Sequence, residues 1–132
     1  MKEIWKDVNG FAGYQVSTLG RIRVVGITIP RGKHLVTYRE HVLKNFISRN
    51  GYVRVDFKRN GQKKRESVHR VVAMAFIPNP NGLPMVNHKN AIRHDNRLEN
   101  LEWVSASYNQ RHRLFLNNPS WDMEPHHTEL TG

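Results

Sequence analysis

From Tyr52 to Phe57 apolar and polar residues alternate with a period of two, Asn60-Gly61 supplies the dipeptide that suits a type I′ turn, and Lys63 to Val68 returns. That run commits the middle of the chain to an antiparallel hairpin. Shorter stretches of the same kind lie upstream. Tyr14 to Ser17 alternates, Leu19-Gly20 turns, and Arg21 to Val25 alternates again with arginines on one face. Val42 to Phe46 reads as a further short strand, whereas Thr28 to Arg39 shows no period and reads as an exposed basic loop.

After the hairpin the period changes. Val68, Val71, Val72, Ala75 and Phe76 recur at helical spacing, and Pro78 and Pro80 end the helix. Met85 to His88 then reads as a strand, a polar loop runs to Asn100, and Leu101 to Val104 reads as the return strand. A second helix is expected from Ser105 or Ser107. Ser107 with Gln110 fits a capping box, and Tyr108, Leu114 and Phe115 offer an apolar face. No internal repeat is visible. The fold class is α+β: small antiparallel strands and a hairpin N-terminally, then a strand-loop-strand-helix unit.

Charge narrows the partner. All 21 Lys and Arg, and eight of the eleven Asp and Glu, fall in the first 117 residues, a net +13 there. Such a surplus favours a polyanion, and nucleic acid is the common one. A membrane is the weaker partner because no basic amphipathic helix stands out. The absence of cysteine excludes disulfides and thiolate zinc sites and fits a reducing cytoplasm. No apolar run reaches the roughly 18 residues of a membrane span, and MKEIWKDVNG lacks the apolar middle of a secretory signal, so a cytoplasmic protein is expected. Residues 118–132 hold three acids and no Lys or Arg, and read as a flexible acidic tail.

The stretch VNHKNAIRHDNRLENLEW, Val86 to Trp103, concentrates amide and imidazole groups between two strands. It puts His88 at the end of the first strand, Asn100 at the end of the loop and Asn109 one turn into the helix. Strand end and helix face can thus meet around one ion.

VHRVVAMAFIPNP at Val68 to Pro80, VNHKN…DNRLENLEWV at Val86 to Val104 and the following SYNQ resemble the HNH (His-Me finger) endonucleases of the phage and intron homing type. EIWKDVNGFAGYQVSTLGRIR, Glu3 to Arg23, resembles the small nuclease-associated module that precedes such units. The resemblance implies three regions: an N-terminal module over 1–47, an HNH domain over 48–117 with a ββα-metal core at about 85–116, and the tail. It implies a DNA strand as substrate and one divalent cation, Mg²⁺ or Mn²⁺. By that likeness His88 is the general base, Asn87 and Asn109 are metal ligands, and the Asn100 amide fastens the loop. Where many relatives follow the histidine with Asp-Gly, this chain has Asn90-Ala91.

The chemistry suits the residues. A neutral imidazole can take a proton from water near neutral pH. Amide oxygens suit a hard dication, although two neutral amides form a weak cage and metal affinity without DNA is expected to be low. One tension stands: Asn87 and His88 are strand neighbours and so point to opposite faces.

For DNA contact the candidates are Arg21, Arg23, Arg59, Lys63, Lys64, Arg65, Arg93, Arg97 and Arg111. His69 reads as a helix-start or core contact, His94 as a solvated loop residue, His126-His127 as part of the tail and Trp103 as core. The expected function is metal-dependent cleavage of double-stranded DNA, with site specificity loose or dependent on another protein. The competing reading is an inactive DNA-binding protein on a decayed scaffold. An RNA-binding module lacks its aromatic motif.

Overall fold

A computed structural model describes residues 2–59 and 61–117, with the backbone alone at residues 27, 59 and 113–117. Asn60, residues 118–132 with His126-His127, and the side chains of Arg59, Arg113, Leu114 and Phe115 lie outside the described residues.

Four small sheets and two helices make up the described chain. Strands β1 (Trp5–Asp7), β2 (Tyr14–Ser17), β3 (Ile22–Val24) and β6 (His41–Val42) form an antiparallel sheet in that order. Between β3 and β6, β4 (Ile27–Arg31) and β5 (His34–Tyr38) pair as a separate ribbon. The expected loop at Thr28 to Arg39 is therefore a hairpin. It was hidden because β5 is exposed at four of its five positions, so nothing forces its residues to alternate. The expected single strand from Val42 to Phe46 is two half-strands: β6 joins β3, while β7 (Phe46–Ile47) joins the next sheet.

That sheet orders β7, β8 (Val53–Arg59) and β9 (Gln62–Ser67). Arg59 pairs with Gln62 and Gly61 takes φ +78°, the left-handed backbone that a tight hairpin needs. Helix α1 (Val68–Phe76) follows at once. It stops because Ile77 precedes Pro78 and must be extended: φ is −110° and ψ 114°. Strands β10 (Met85–His88) and β11 (Leu101–Val104) form a ribbon, joined by the polar loop and a 3-10 turn at Leu98–Asn100, and α2 (Ala106–Asn117) closes the order. Its cap is Ser105, whose Oγ accepts from the Tyr108 N–H at 3.1 Å, so the Ser107 box is not the one used.

One core serves both halves. Val16 and Ile22 of the N-terminal sheet pack in one cluster with Val55, Phe57, Val68, Val72 and Leu101. Phe57 is fully buried; Phe11 stacks on it at 4.5 Å and Tyr14 meets it edge-on at 4.9 Å. A second seam lies farther along: the Leu98 N–H donates to the Thr18 carbonyl at 2.8 Å. The N-terminal sheet thus braces the β10–β11 loop directly. No described helix is long and apolar enough to cross a membrane.

Candidate active site

Register decides which side chains can meet on the β10–β11 ribbon. Asn87 faces Glu102 and His88 faces Leu101, so the two neighbours point to opposite faces. His88, Val86 and Trp103 lie on the α1 side, where Trp103 Nε1 donates to the Ile77 carbonyl at 3.0 Å. Asn87, Glu102 and Met85 lie on the α2 side, where Asn109 Nδ2 sits 4.0 Å from Met85 Sδ. The structure therefore groups Asn87 with Asn109, while His88 stands on the other face at the loop end of the ribbon.

His88 is buried, and its Nε2 lies 2.7 Å from Asn96 Oδ1. An amide oxygen accepts, so Nε2 carries the proton and Nδ1 keeps its lone pair. His69 lies 4.9 Å away ring to ring, and Tyr52 stacks on His69 at 5.1 Å. Burial lowers the His88 pKa first; the Asn96 bond and the Asp95 charge oppose this, and Arg93 and His94 add to it. The ring is neutral at neutral pH. His69 is pushed down further, to about 3, by burial and then by His88 and nearby Arg70 and Arg54. Its Nδ1 is buried without a hydrogen-bond partner.

The loop beyond His88 is held by amides. Asn100 Nδ2 donates to Asn90 Oδ1 and to the Asp95 carbonyl, both at 2.9 Å, and its Oδ1 accepts from the Asn90 N–H at 3.1 Å. The Asn100 backbone carbonyl accepts from Lys89 at 2.8 Å. Ala91 takes φ 64° and is the one non-glycine with positive φ among the described residues. The sharp turn after His88 is thus kept although glycine is absent, at a cost of roughly 1–2 kcal/mol. Asp95 accepts from Arg97 Nε and Nη2, each at 2.8 Å, which holds its carboxyl well below the usual carboxylate range.

On the α2 face Asn87 Nδ2 donates to Glu102 Oε2 at 2.8 Å. That bond turns the amide so that Oδ1 is the end left for a cation. Among the described residues no three His, Cys, Asp or Glu side chains gather as a metal cluster. The donor set that exists here is amide oxygen with one adjacent carboxylate, which fits a hard dication completed by water and phosphate. Glu102 and Asn96 were missed in the sequence. The Glu102 signal was available: laying Met85 to His88 against Leu101 to Val104 puts it opposite Asn87. Asn96 carried none, being one asparagine among several in the loop.

Many of the basic candidates are engaged within the chain. Arg21 pairs with Glu3 and Arg65 with Asp56; Lys63 reaches Asp56 at 3.7 Å and Lys64 reaches Glu66 at 3.4 Å. Arg97 pairs with Asp95, and Arg23 binds Gln15 Oε1 at 2.7 Å and lies over the Trp5 ring. Arg93 donates to the Asn50 carbonyl and covers Tyr52. Arg111, half-buried on α2, lies near Tyr108. Exposed pairs of this kind are weak, so a phosphate can displace the carboxylates. Arg31, Lys33, Arg39, Lys44, Arg49 and Lys89 are exposed and take part in none of the ion pairs among the described residues.

The NUMOD4 motif model matches residues 3–58 and the HNH endonuclease model matches residues 66–111. Two uncharacterized HNH endonucleases of Acanthamoeba polyphaga mimivirus are 34% identical over 110 residues and 35% over 117. They cover 83% and 85% of this chain, which spans only 29% and 26% of their length. The DNA endonuclease I-HmuI of Bacillus phage SP01 is 32% identical over 111 residues, 83% of this chain and 57% of that protein. A solved structure of DNA binding and cleavage by that HNH homing endonuclease superposes with a TM-score of 0.68 at 28% identity, over 90% of this chain and 61% of the other.

Proposed function

This chain belongs to the HNH endonucleases, with a NUMOD4 motif ahead of the nuclease unit, and from that premise we propose that it is a divalent-metal-dependent DNA endonuclease of the homing type that nicks or cuts duplex DNA. The observation that carries the reading is His88. It is a buried, neutral imidazole with one nitrogen fixed on Asn96 and the other left with a lone pair at the loop end of the ribbon.

In the reaction His88 Nδ1 takes a proton from water as the water oxygen bonds to phosphorus and the bond from phosphorus to the 3′ oxygen breaks. Asn96 keeps the ring in the tautomer this requires and stabilises the imidazolium that forms by accepting from Nε2. Tyr52 and His69 pack beside the ring and keep it from rotating. Asn100 ties the loop so that the chain leaves His88 in a fixed direction. Asn87 Oδ1 and the Asn109 amide are the groups that would hold Mg²⁺ or Mn²⁺. When bound, the ion polarises the phosphate and stabilises the departing oxygen. Double-stranded DNA is the partner, gripped by the basic surface of both halves, and the protein acts inside the cell that holds that DNA.

The test is incubation with supercoiled plasmid, with Mg²⁺ or Mn²⁺ and then with a chelator. Conversion to open circle that stops on chelation supports the reading; conversion unaffected by chelation overturns metal dependence. A second reading, an inactive DNA-binding relic, draws on the amide at position 87, where no carboxylate faces the ion directly. It gains if the natural chain binds DNA and never nicks while Asn87→Asp does.

A further inference from the structure

Among the described residues two acids take part in no ion pair: Asp7, which is exposed and accepts from Gln15 Nε2 at 3.0 Å, and Glu102. Glu3, Glu40, Asp56, Glu66, Asp95 and Glu99 each pair with Lys or Arg. Glu102 is half-buried on the α2 face of the ribbon, and none of the ion pairs among the described residues includes it. The partner it does have is a neutral amide, Asn87 Nδ2. Leaving a partly desolvated anion without a cation is costly unless a cation arrives from elsewhere.

Its position suits that purpose. Glu102 is the cross-strand partner of Asn87, joined to it through Oε2 at 2.8 Å. Helix α2 covers the same face: Asn109 Nδ2 lies 4.0 Å from the Sδ of Met85, which shares that face with Asn87 and Glu102. The carboxylate thus shares a face with the strand amide and with the helix that carries the second amide.

We propose that Glu102 is the charged member of the divalent-cation site, supplying beside Asn87 the negative charge that the two amides lack. The proposal rests on the metal-dependent reading given above. An alternative role, merely orienting Asn87 through the hydrogen bond, makes a different forecast. Glu102→Gln keeps an acceptor oxygen for Asn87 Nδ2 and removes only the charge.

The experiment is Mn²⁺ binding by the whole chain without DNA, read from the electron paramagnetic resonance of free Mn²⁺. Wild type is compared with Glu102→Gln and with Asn87→Asp combined with Glu102→Gln, and each variant's fold is checked by circular dichroism. A full charge beside a dication predicts that Glu102→Gln weakens Mn²⁺ binding on the order of tenfold or more. The double variant, which moves the charge across the strand pair, recovers most of it. Glu102→Gln binding Mn²⁺ as wild type does overturns the proposal and leaves Glu102 as an orienting group, with the metal reading intact. Wild type without measurable Mn²⁺ binding, even at millimolar concentration, removes the cation site on which the proposal stands. If Glu102→Gln misfolds, the double variant decides: folded and binding supports the charge, folded and not binding overturns it.

Discussion

Replacing Gly20 by alanine tests whether the N-terminal sheet sets the geometry of His88. Gly20 follows Leu19 in the turn between β2 and β3 and has φ +82°. A Cβ built there lies 2.9 Å from both Asn96 Cβ and the Asn96 carbonyl oxygen, and 3.2 Å from its carbonyl carbon. None of those atoms can move by a rotamer change. Asn96 is the residue whose Oδ1 holds His88 Nε2. The positive φ alone costs an L-residue about 1–2 kcal/mol. Overpacking against backbone adds about 1–3 kcal/mol. The sum has a midpoint of about 3.5 kcal/mol, which lowers Tm by roughly 10–15 °C for a domain of this size. Gly10→Ala isolates the first part, since Gly10 has φ +87° with nothing within 4 Å of the added carbon. The assays are thermal denaturation and the plasmid nicking rate, the latter well below both melting temperatures. Gly20→Ala should melt several degrees below Gly10→Ala and nick more slowly, with DNA affinity little changed. Equal melting and equal nicking by the two variants would refute the brace from Gly20 through Asn96 to His88.

Three further outcomes follow from the same contacts. Ala91→Gly relieves the left-handed backbone at φ 64° and should raise stability by up to about 1 kcal/mol in urea unfolding, with nicking kept; a loss of stability would mean that the methyl group packs. His69, with its folded pKa lowered to about 3, contributes stability that is complete above the unfolded value of 6.5 and is lost as pH falls toward 3. The urea midpoint should therefore fall between pH 6.5 and 4, and His69→Phe should flatten that fall; an unchanged slope in the variant would assign it to other groups. If about six phosphates are neutralised, log K for duplex DNA should fall against log salt with a slope near −5, and Lys63→Glu with Lys64→Glu should weaken all sequences alike.

The central hairpin was legible because β8 buries Val53, Val55 and Phe57 and leaves Arg54 and Asp56 partly exposed between them, so period two shows in the sequence; α1 declares itself through Val68, Val71 and Val72 and the proline that follows. The β4–β5 ribbon did not, because its exposed faces accept any pattern and Pro30 sits in a two-stranded ribbon without a neighbour to disappoint. Within the site the local parts were readable: His88 at a strand end, Asn100 closing the loop. The partnerships across chain distance were not. Asn96 over Gly20 and His69 against His88 join residues 76 and 19 positions apart, and only the packed core brings them together.

The most direct measurement is nicking of supercoiled plasmid by His88→Ala beside wild type, in Mg²⁺ and in Mn²⁺, with DNA binding measured on the same preparations. A base that acts on water and not on the duplex predicts that His88→Ala loses 10²-fold or more of the nicking rate, about the contribution of one general base, while binding is kept. Equal nicking by the two proteins in either metal would contradict the assignment of His88 and, with it, the account of this site as a nuclease centre.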